Sequence, residues 1–271
     1  MENSAKKIQT STNLEEPQLP FLLGDIPIDK GQTRPFGGIN PHSEHFNNIG
    51  QQFLRFFIDH GRLTKRSKVL DVGCGTGRIA KALEEFLEGG KYQGFDCNKR
   101  FIEHCNKSYK KSFKFQHFDL QHDEYNKNGI INPETFKFPY KDNSFDFVTA
   151  IAVFNHLNFK TSVNYISEMI RVLRPQGVFF STFVLLNQRS MEAIEAKKEH
   201  PFKFTVKEDD GWYEYEKRKF WNVALPEMDI RRVFVNSGMM IKEPIRYGEW
   251  CGSPAAITGH DIVAAIRGQW R

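Results

Sequence analysis

The 271-residue sequence has only four cysteines, Cys74, Cys97, Cys105 and Cys251, and no two of them form a C-x-x-C pair. A disulfide framework or a structural zinc site would need closely spaced or paired cysteines. The cysteine content therefore argues against a small disulfide-stabilised secreted domain and favours a reducing compartment. No carboxylate set suggests a magnesium site either, so we expect no metal.

Long apolar segments are also missing. No run of residues approaches the length of a membrane-spanning helix, and residues 1–20 are polar, without the apolar stretch of a signal peptide. We therefore expect a cytoplasmic protein with no membrane partner.

Neither sign of charge dominates, since 38 basic residues stand against 33 acidic ones, a formal charge of +5. The basic surplus lies in short runs such as 107–114 and 197–207. Solvated helix faces explain such runs better than a nucleic-acid surface, so nucleic acid is disfavoured as a partner.

The chain alternates β-rich segments with helical ones over most of its length. We expect helices at 44–61, 78–87, 99–109, 161–173 and 226–237, and strands at 68–72, 92–96, 113–118, 145–151, 177–183, 240–245 and 261–266. This alternation predicts an α/β fold, a Rossmann-like doubly wound and mainly parallel seven-stranded sheet. Residues 1–35 are predicted to be a flexible arm, and residues 36–271 a single domain.

Two stretches interrupt the alternation, at 121–144 and at 187–225. The second combines charges with Trp212, Tyr213, Tyr215, Phe220 and Trp221. We predict that residues 186–225 form an aromatic insertion after the fifth strand that covers the substrate. A small subdomain whose aromatic rings only pack on one another is the alternative.

A glycine-rich turn, Asp71-Val72-Gly73-Cys74-Gly75-Thr76-Gly77, joins the first strand to the following helix. Glycine lets the backbone bend sharply and approach a ligand closely, and the helix N-terminus offers amide donors to an anionic group. Packing of the helix against the strand is the alternative use of such glycines.

Three acidic residues follow or end neighbouring strands: Asp71, Asp96 and Asp119. The carboxyl ends of parallel strands line the ligand crevice of such sheets, and a carboxylate at the second strand end can accept ribose hydroxyls. Their coincidence with a glycine turn predicts a nucleoside-containing cofactor.

These segments resemble the motifs of class I S-adenosylmethionine-dependent methyltransferases of small-molecule type. Residues 69–78 are similar to the first motif, 94–96 to the second and 118–120 to the adenine-binding motif. Residues 138–148 resemble the approach to the fourth strand, and 171–177 the next helix-to-strand turn, with Gln176 where glycine is usual. The likeness extends from about residue 50 to 266.

The resemblance implies S-adenosyl-L-methionine as cofactor, with S-adenosyl-L-homocysteine as product. Asp71 and the Gly73 and Gly75 backbone would hold the methionine end, Asp96 the ribose, Asp119 the adenine amino group and the Leu120 amide a ring nitrogen. Ala150 and Phe154 would flank the methionine or adenosine, although Phe154 fits simple core packing equally well. Cys74, Gly77 and Cys97 complete the predicted cofactor-binding set.

A dehydrogenase would use a similar strand, turn and helix. Its fingerprint is G-x-G-x-x-G, whereas this chain has G-x-G-x-G with Arg78 at the position of the last glycine. A nicotinamide or flavin enzyme is therefore disfavoured.

His156 follows the fourth strand, and it is the candidate catalytic residue. Methyl transfer mainly requires alignment of the reactants in a dry pocket, and a base helps when the acceptor is a hydroxyl. A structural or substrate-orienting role is the alternative for this histidine.

The usual signatures of base-modifying methyltransferases, an Asn/Asp-Pro-Pro-aromatic tetrad and a Pro-Cys nucleophile, are missing after the fourth strand. Residues 248–252 and 261–263 are similar to bacterial small-molecule methyltransferases. We expect transfer to oxygen or nitrogen of a small-molecule metabolite, such as a sugar or secondary metabolite. An RNA or protein methyltransferase and a non-catalytic cofactor-binding regulator stay open, as does the choice between monomer and homodimer.

Overall fold

The computed structural model describes residues 40–196, 202, 204–215 and 218–269, with the backbone alone at 215 and 218–220. The predicted arm at 1–35 lies outside the described residues. No helix within the described ranges has both the length and the apolar character needed to cross a bilayer.

Helices and strands alternate through the first two thirds of the described chain. The helices are α1 (Glu44–Asp59), α2 (Arg78–Phe86), α3 (Lys99–Ser108), α4 (Phe159–Val172), α5 (Gln188–Ala196) and α6 (Glu227–Asn236). The strands are β1 (Lys68–Val72), β2 (Lys91–Asp96), β3 (Lys114–His117), β4 (Phe145–Ala150), β5 (Leu173–Phe183), β6 (Leu185–Leu186), β7 (Val206–Glu208), β8 (Gly211–Tyr215), β9 (Arg218–Pro226), β10 (Met239–Ile241) and β11 (Asp261–Arg267). Short 3-10 helices span Phe154–His156 and Glu249–Cys251.

Seven strands form the main sheet in the order β10-β11-β5-β4-β1-β2-β3. The pairs from β5 to β3 are parallel, whereas β11 is antiparallel to both β5 and β10. The strand order reverses beside β1, which places a crevice at its carboxyl end. The predicted mainly parallel, seven-stranded α/β fold is confirmed.

Apolar residues cover both faces of this sheet, as doubly wound sheets require. On one face Phe57 of α1 lies 4.9 Å from Phe147 and 5.0 Å from Phe180, ring centroid to centroid. On the other face Phe179 packs edge-on against Phe234 of α6 at 4.8 Å. Helices therefore cover both faces of the strands, and a ligand can reach the sheet only at the edge formed by the loops.

Some element boundaries differ from the sequence predictions. α4 begins two residues early because the Asn158 side chain caps it, accepting a hydrogen bond of 2.8 Å from the amide of Thr161. The strand predicted at 240–245 ends at Ile241, before Pro244, which lacks the N–H that a ladder needs. Gln176, where the family usually has glycine, adopts a left-handed φ of 66°.

The described part of the predicted insertion after β5 contributes to a second β-sheet. Strands β6, β9, β8 and β7 form a second sheet in that order, with α5 between β6 and β7. A single residue separates the end of β5 from the start of β6, and β9 pairs in parallel with β6. The second sheet therefore lies beside the carboxyl end of β5.

Candidate active site

The three glycines after β1 all have positive φ angles, 67° at Gly73, 55° at Gly75 and 87° at Gly77. A Cβ on Gly73 would lie 2.6 Å from Val153 Cγ2, and one on Gly77 would lie 2.5 Å from the Tyr109 ring. A Cβ on Gly75 would meet nothing within 4 Å. Gly73 and Gly77 therefore serve packing, while Gly75 faces open space that a ligand can enter.

Asp96 joins this turn to the end of β2. Its Oδ2 accepts a hydrogen bond of 2.9 Å from the Gly75 amide, and its Oδ1 accepts one of 2.8 Å from the Asn98 amide. The side chain is 8% exposed. Burial raises the pKa of Asp96 above its usual range, and the two amide donors oppose that shift.

Asp71 lies deeper than the other acids. It is 1% exposed, and its Oδ2 accepts a hydrogen bond of 2.7 Å from the Tyr92 hydroxyl. Burial raises the pKa of Asp71 to about 7, while the Tyr92 bond and the nearby Arg78 charge act in the opposite direction. Asp71 is thus held beneath the turn as a carboxyl group that titrates near neutral pH.

The two predicted cysteine positions, Cys74 in the turn and Cys97 directly after Asp96, both make backbone hydrogen bonds. The Cys74 amide donates to the Phe95 carbonyl at 3.0 Å, which fastens the turn to β2. His117 Nε2 lies 3.0 Å from the Cys97 carbonyl. Burial raises the pKa of both thiols, so neither is a ready nucleophile.

Asp119 lies after β3, half-buried, and its Oδ1 accepts a hydrogen bond of 2.8 Å from Asn126 Nδ2. The Leu120 amide donates to the Phe118 carbonyl at 2.7 Å, and the Leu120 side chain is buried. The predicted contact of this amide with an adenine nitrogen would therefore have to replace an internal hydrogen bond.

The pair predicted to flank the cofactor is buried. Ala150 is fully buried at the end of β4, and its amide donates to Ser181 Oγ at 3.1 Å. Phe154 is also fully buried and stacks on Phe183, with ring centroids 4.3 Å apart and planes 9° apart. The geometry at Phe154 favours the core-packing alternative, and its contact with the cofactor stays a prediction.

His156 ends the 3-10 helix that follows β4, at the same sheet edge as the glycine turn. Its Nε2 lies 3.1 Å from Asn155 Nδ2 and 3.4 Å from the Tyr125 hydroxyl. Its carbonyl is 3.0 Å from His122 Nε2. The ring of Trp221 lies 6.4 Å away, edge-on. The candidate base therefore lies between the cofactor edge and the second sheet.

The aromatic residues of the insertion divide into core and edge positions. Tyr213 is buried and donates to Asp210 at 2.9 Å, whereas Trp212 and Trp221 are half-buried. Lys207 Nζ lies 4.0 Å from the Trp212 ring centre. The side chains of Tyr215 and Phe220 lie outside the described residues. Trp221 is thus the aromatic residue that the described part of the insertion brings to His156.

Four residues near the site were not predicted: Tyr92, Asn98, Asn155 and His260. Asn98 carries a sequence signal, because an asparagine directly before a helix is a strong cap, and it accepts from the Arg100 amide at 3.1 Å. The other three depend on contacts between distant segments.

Residues 70–181 match the sequence profile of a family described as "Methyltransferase domain". The sterol 24-C-methyltransferase erg6 of Schizosaccharomyces pombe is 33% identical over 113 residues, 42% of this chain and 26% of that protein. The demethylmenaquinone methyltransferase of Oceanobacillus iheyensis is 32% identical over 109 residues, 40% of each chain. The chain thus spans less than half the length of either curated relative.

Among solved structures, the PH0226 protein of Pyrococcus horikoshii OT3 shares the fold with a TM-score of 0.59 at 16% identity, over 85% of this chain and 97% of that one. The profile match covers the part of the chain that carries the predicted cofactor motifs, and the structural match confirms the predicted fold.

Proposed function

We propose that the chain is a class I S-adenosylmethionine-dependent methyltransferase that methylates an oxygen or nitrogen atom of a small-molecule metabolite, with oxygen favoured. The match of residues 70–181 to a methyltransferase-domain family supports the class. The observation that carries the proposal is the open space at Gly75, bounded by Asp96 and reached from His156 along the same sheet edge. The transferred methyl group and its acceptor have to meet at this edge.

The residues at this edge fit S-adenosylmethionine. The Cβ position of Gly75 is empty, so a ligand can reach the backbone there. Asp96 is fixed by two backbone amides and keeps further lone pairs for ribose hydroxyls. Gly77, the N-cap of α2, makes no side-chain cap, which leaves first-turn amides of that helix to a polar group.

S-adenosylmethionine, when bound, supplies a methyl group on a positively charged sulfur. The chain has to bind this cation, exclude water and bring an acceptor into line. Asp71 and Asp96 provide acidic groups below the turn and at its side. Partial burial of the site strengthens the attraction of these acidic groups for the cation, because charges interact more strongly where water is excluded.

His156 is proposed as the base that removes the acceptor's proton. Asn155 Nδ2 is a donor toward His156 Nε2, so the lone pair resides on Nε2 and the neutral ring carries its proton on Nδ1. A ring in this state accepts a proton from a hydroxyl. Tyr125 and His122 hold the ring and the backbone of His156 in place.

A small-molecule acceptor is supported by three features. Trp221 offers an aromatic face next to His156. The sequence has none of the usual base-modifying signatures, and the named relatives methylate a sterol and demethylmenaquinone.

The proposal is tested by incubating the full chain with methyl-labelled S-adenosylmethionine and a small-molecule cell extract, followed by mass spectrometry. We expect a labelled product below 1 kDa, absent with Gly75→Arg. Label in RNA or protein would support the alternative acceptors. Calorimetric binding of S-adenosylmethionine without any labelled product would support a regulator, and binding of NAD alone would overturn the proposal.

A further inference from the structure

Two side chains at the edge that carries His156 have buried polar atoms without a hydrogen-bond partner. His260 is fully buried, and neither its Nδ1 nor its Nε2 has a partner. Asn155 is also fully buried, and its Oδ1 has none. A buried unpaired polar group costs about 1–3 kcal/mol, so native structures retain such groups mainly where something else satisfies them.

Both residues lie at the carboxyl edge of the parallel strands. His260 directly precedes β11, whose first residue, Asp261, pairs with Phe183 at the end of β5. Asn155 belongs to the 3-10 helix after β4. Phe183 also stacks on Phe154, the neighbour of Asn155, so both residues lie at the edge that carries His156. Burial lowers the pKa of His260 to about 3, so its ring is neutral at physiological pH.

A chain of hydrogen bonds fixes the orientation of the Asn155 amide. Glu214 Oε2 only accepts, and Asn222 Nδ2 donates to it at 2.5 Å. Asn222 Oδ1 must then face Asn155 Nδ2, which lies 3.5 Å away. This leaves Asn155 Oδ1 as the unpaired atom and shows that it is an acceptor.

Rigid contacts also hold the backbone of His260. Its carbonyl accepts a hydrogen bond of 2.5 Å from Thr258 Oγ1. Asp261 accepts hydrogen bonds from the Gly248 amide, the Leu185 amide and Trp250 Nε1, at 2.7, 2.8 and 2.8 Å. The unpaired ring nitrogens are therefore not the result of a loose segment.

The three unpaired atoms define which hydrogen-bond donors and acceptors a ligand must have. A neutral imidazole has one N–H donor and one acceptor nitrogen, and Asn155 Oδ1 adds a second acceptor. A matching ligand offers two donors and one acceptor. A hydroxyl group both donates and accepts. A protonated amine would leave the imidazole N–H unpaired, and a carboxylate would leave both acceptors unpaired.

We propose that Asn155 and His260 form the acceptor subsite and bind a molecule with at least two hydroxyl groups, a polyol or carbohydrate, beside His156. The inference rests on the proposed function and narrows its acceptor. In this arrangement His260 and Asn155 are positioning residues, while His156 removes the proton of the hydroxyl that is methylated. Trp221 provides the ring against which the apolar face of such a molecule packs.

The test uses the full chain saturated with S-adenosylhomocysteine and labelled with ¹⁵N in its histidine rings. The probes are myo-inositol, methyl β-D-glucopyranoside and methyl α-L-rhamnopyranoside, with cyclohexylamine and benzoate as comparison ligands. We expect at least one polyhydroxylated probe to shift the His260 ring resonances. His60, which Arg246 contacts at Nδ1, serves as an internal control and stays unshifted.

His260→Phe separates binding from folding, with His122→Phe as matched control. His122 accepts from the Glu124 amide at 3.1 Å and lies near the His156 carbonyl, so its loss should lower the melting temperature. His260→Phe should keep the melting temperature of the wild type, because it removes only unpaired polar atoms. It should raise the KM for a methylated probe at least tenfold and leave S-adenosylhomocysteine affinity within twofold.

The inference is overturned if no polyhydroxylated probe moves His260, if only the amine or the carboxylate does, or if His260→Phe melts as early as His122→Phe. A chain that binds no S-adenosylhomocysteine would instead remove the proposed function itself.

Discussion

The amide of Gly75 donates a hydrogen bond of 2.9 Å to Asp96 Oδ2, which links the glycine turn after β1 to the end of β2. One carboxylate therefore shapes the turn and lines the space that Gly75 leaves open. In the proposed cofactor site, removal of this carboxylate should weaken binding in two ways, by taking away a group that contacts the cofactor and by releasing the turn.

Asp96→Ala should weaken S-adenosylmethionine binding by about 10- to 150-fold, because hydrogen bonds to a charged group contribute about 1.5–3 kcal/mol. Isothermal titration calorimetry measures this loss directly. Asp229→Ala is the control and should bind normally, because Asp229 is a half-buried residue of α6 that pairs with Arg232. Unchanged affinity in Asp96→Ala would contradict the proposed cofactor site.

Alanine substitutions at the three glycines should have different effects. Each places alanine at a left-handed φ, which costs about 1–2 kcal/mol. Gly73→Ala and Gly77→Ala also create contacts of 2.6 and 2.5 Å, so their melting temperatures should fall further than that of Gly75→Ala. Gly75→Ala should instead lose mainly cofactor affinity, because its Cβ enters the open space.

Thermal unfolding and calorimetry on the three variants together check this order. Gly73→Ala combined with Val153→Ala should recover part of the lost stability, since Val153 Cγ2 is the atom in the way. A Gly75→Ala chain that binds S-adenosylmethionine as tightly as the wild type would show that the ligand lies elsewhere.

His156→Gln should lower kcat by about 100-fold or more if the acceptor is a hydroxyl, because general-base catalysis contributes about 10²–10⁴. Cofactor affinity should stay close to that of the wild type, since the side chain of His156 contacts Asn155, Tyr125 and Trp221. Single-turnover rates across pH 6–9 measure the effect, and turnover close to the wild type would remove His156 from the mechanism.

Asp71 should make stability fall as pH rises. Its pKa is about 7 in the folded chain against 3.8 as the ordinary value, so the neutral form favours folding. Its contribution is fully present below pH 3.8 and is lost as pH rises through about 7. At 1.36 kcal/mol per pKa unit the loss is about 4 kcal/mol.

Asp71→Asn should remove this pH dependence. The amide oxygen still accepts from Tyr92, and no charge has to be buried. Relative to the wild type, the variant should gain stability between pH 5 and pH 8 in urea unfolding. The same gain should not appear in Asp229→Asn. If the stability of Asp71→Asn and of the wild type changes with pH in parallel, ionisation of Asp71 does not control the stability of the fold.

Local patterns were sufficient to predict how the residues of the proposed cofactor site come together, because each lies at or just after a strand end. β1 has the predicted bounds, and the glycine turn directly follows it. The carboxylates of Asp71 and Asp96 come together because β1 and β2 are parallel neighbours. Regular alternation of strands and helices is sufficient for that placement.

The residues of the proposed acceptor subsite could not be predicted in the same way. His260 looks like a loop residue in the sequence, and only the pairing of Asp261 with Phe183 brings it to the sheet edge. The unpaired oxygen of Asn155 is set by Glu214 and Asn222, which lie on a separate sheet. Hydrogen bonds between side chains of separate segments produce no periodic pattern in the sequence, so sequence reasoning could not find them.

The parallel pairing of Leu185 with Leu225 means that the polypeptide leaves the main body and returns to it at neighbouring points. Residues between these points can be lengthened, shortened or exchanged without altering the distance that the rest of the chain must span. We therefore expect an exchange of this segment between homologues to replace Trp221, the aromatic neighbour of His156, while leaving Asn155, His260 and the bond between Gly75 and Asp96 in place.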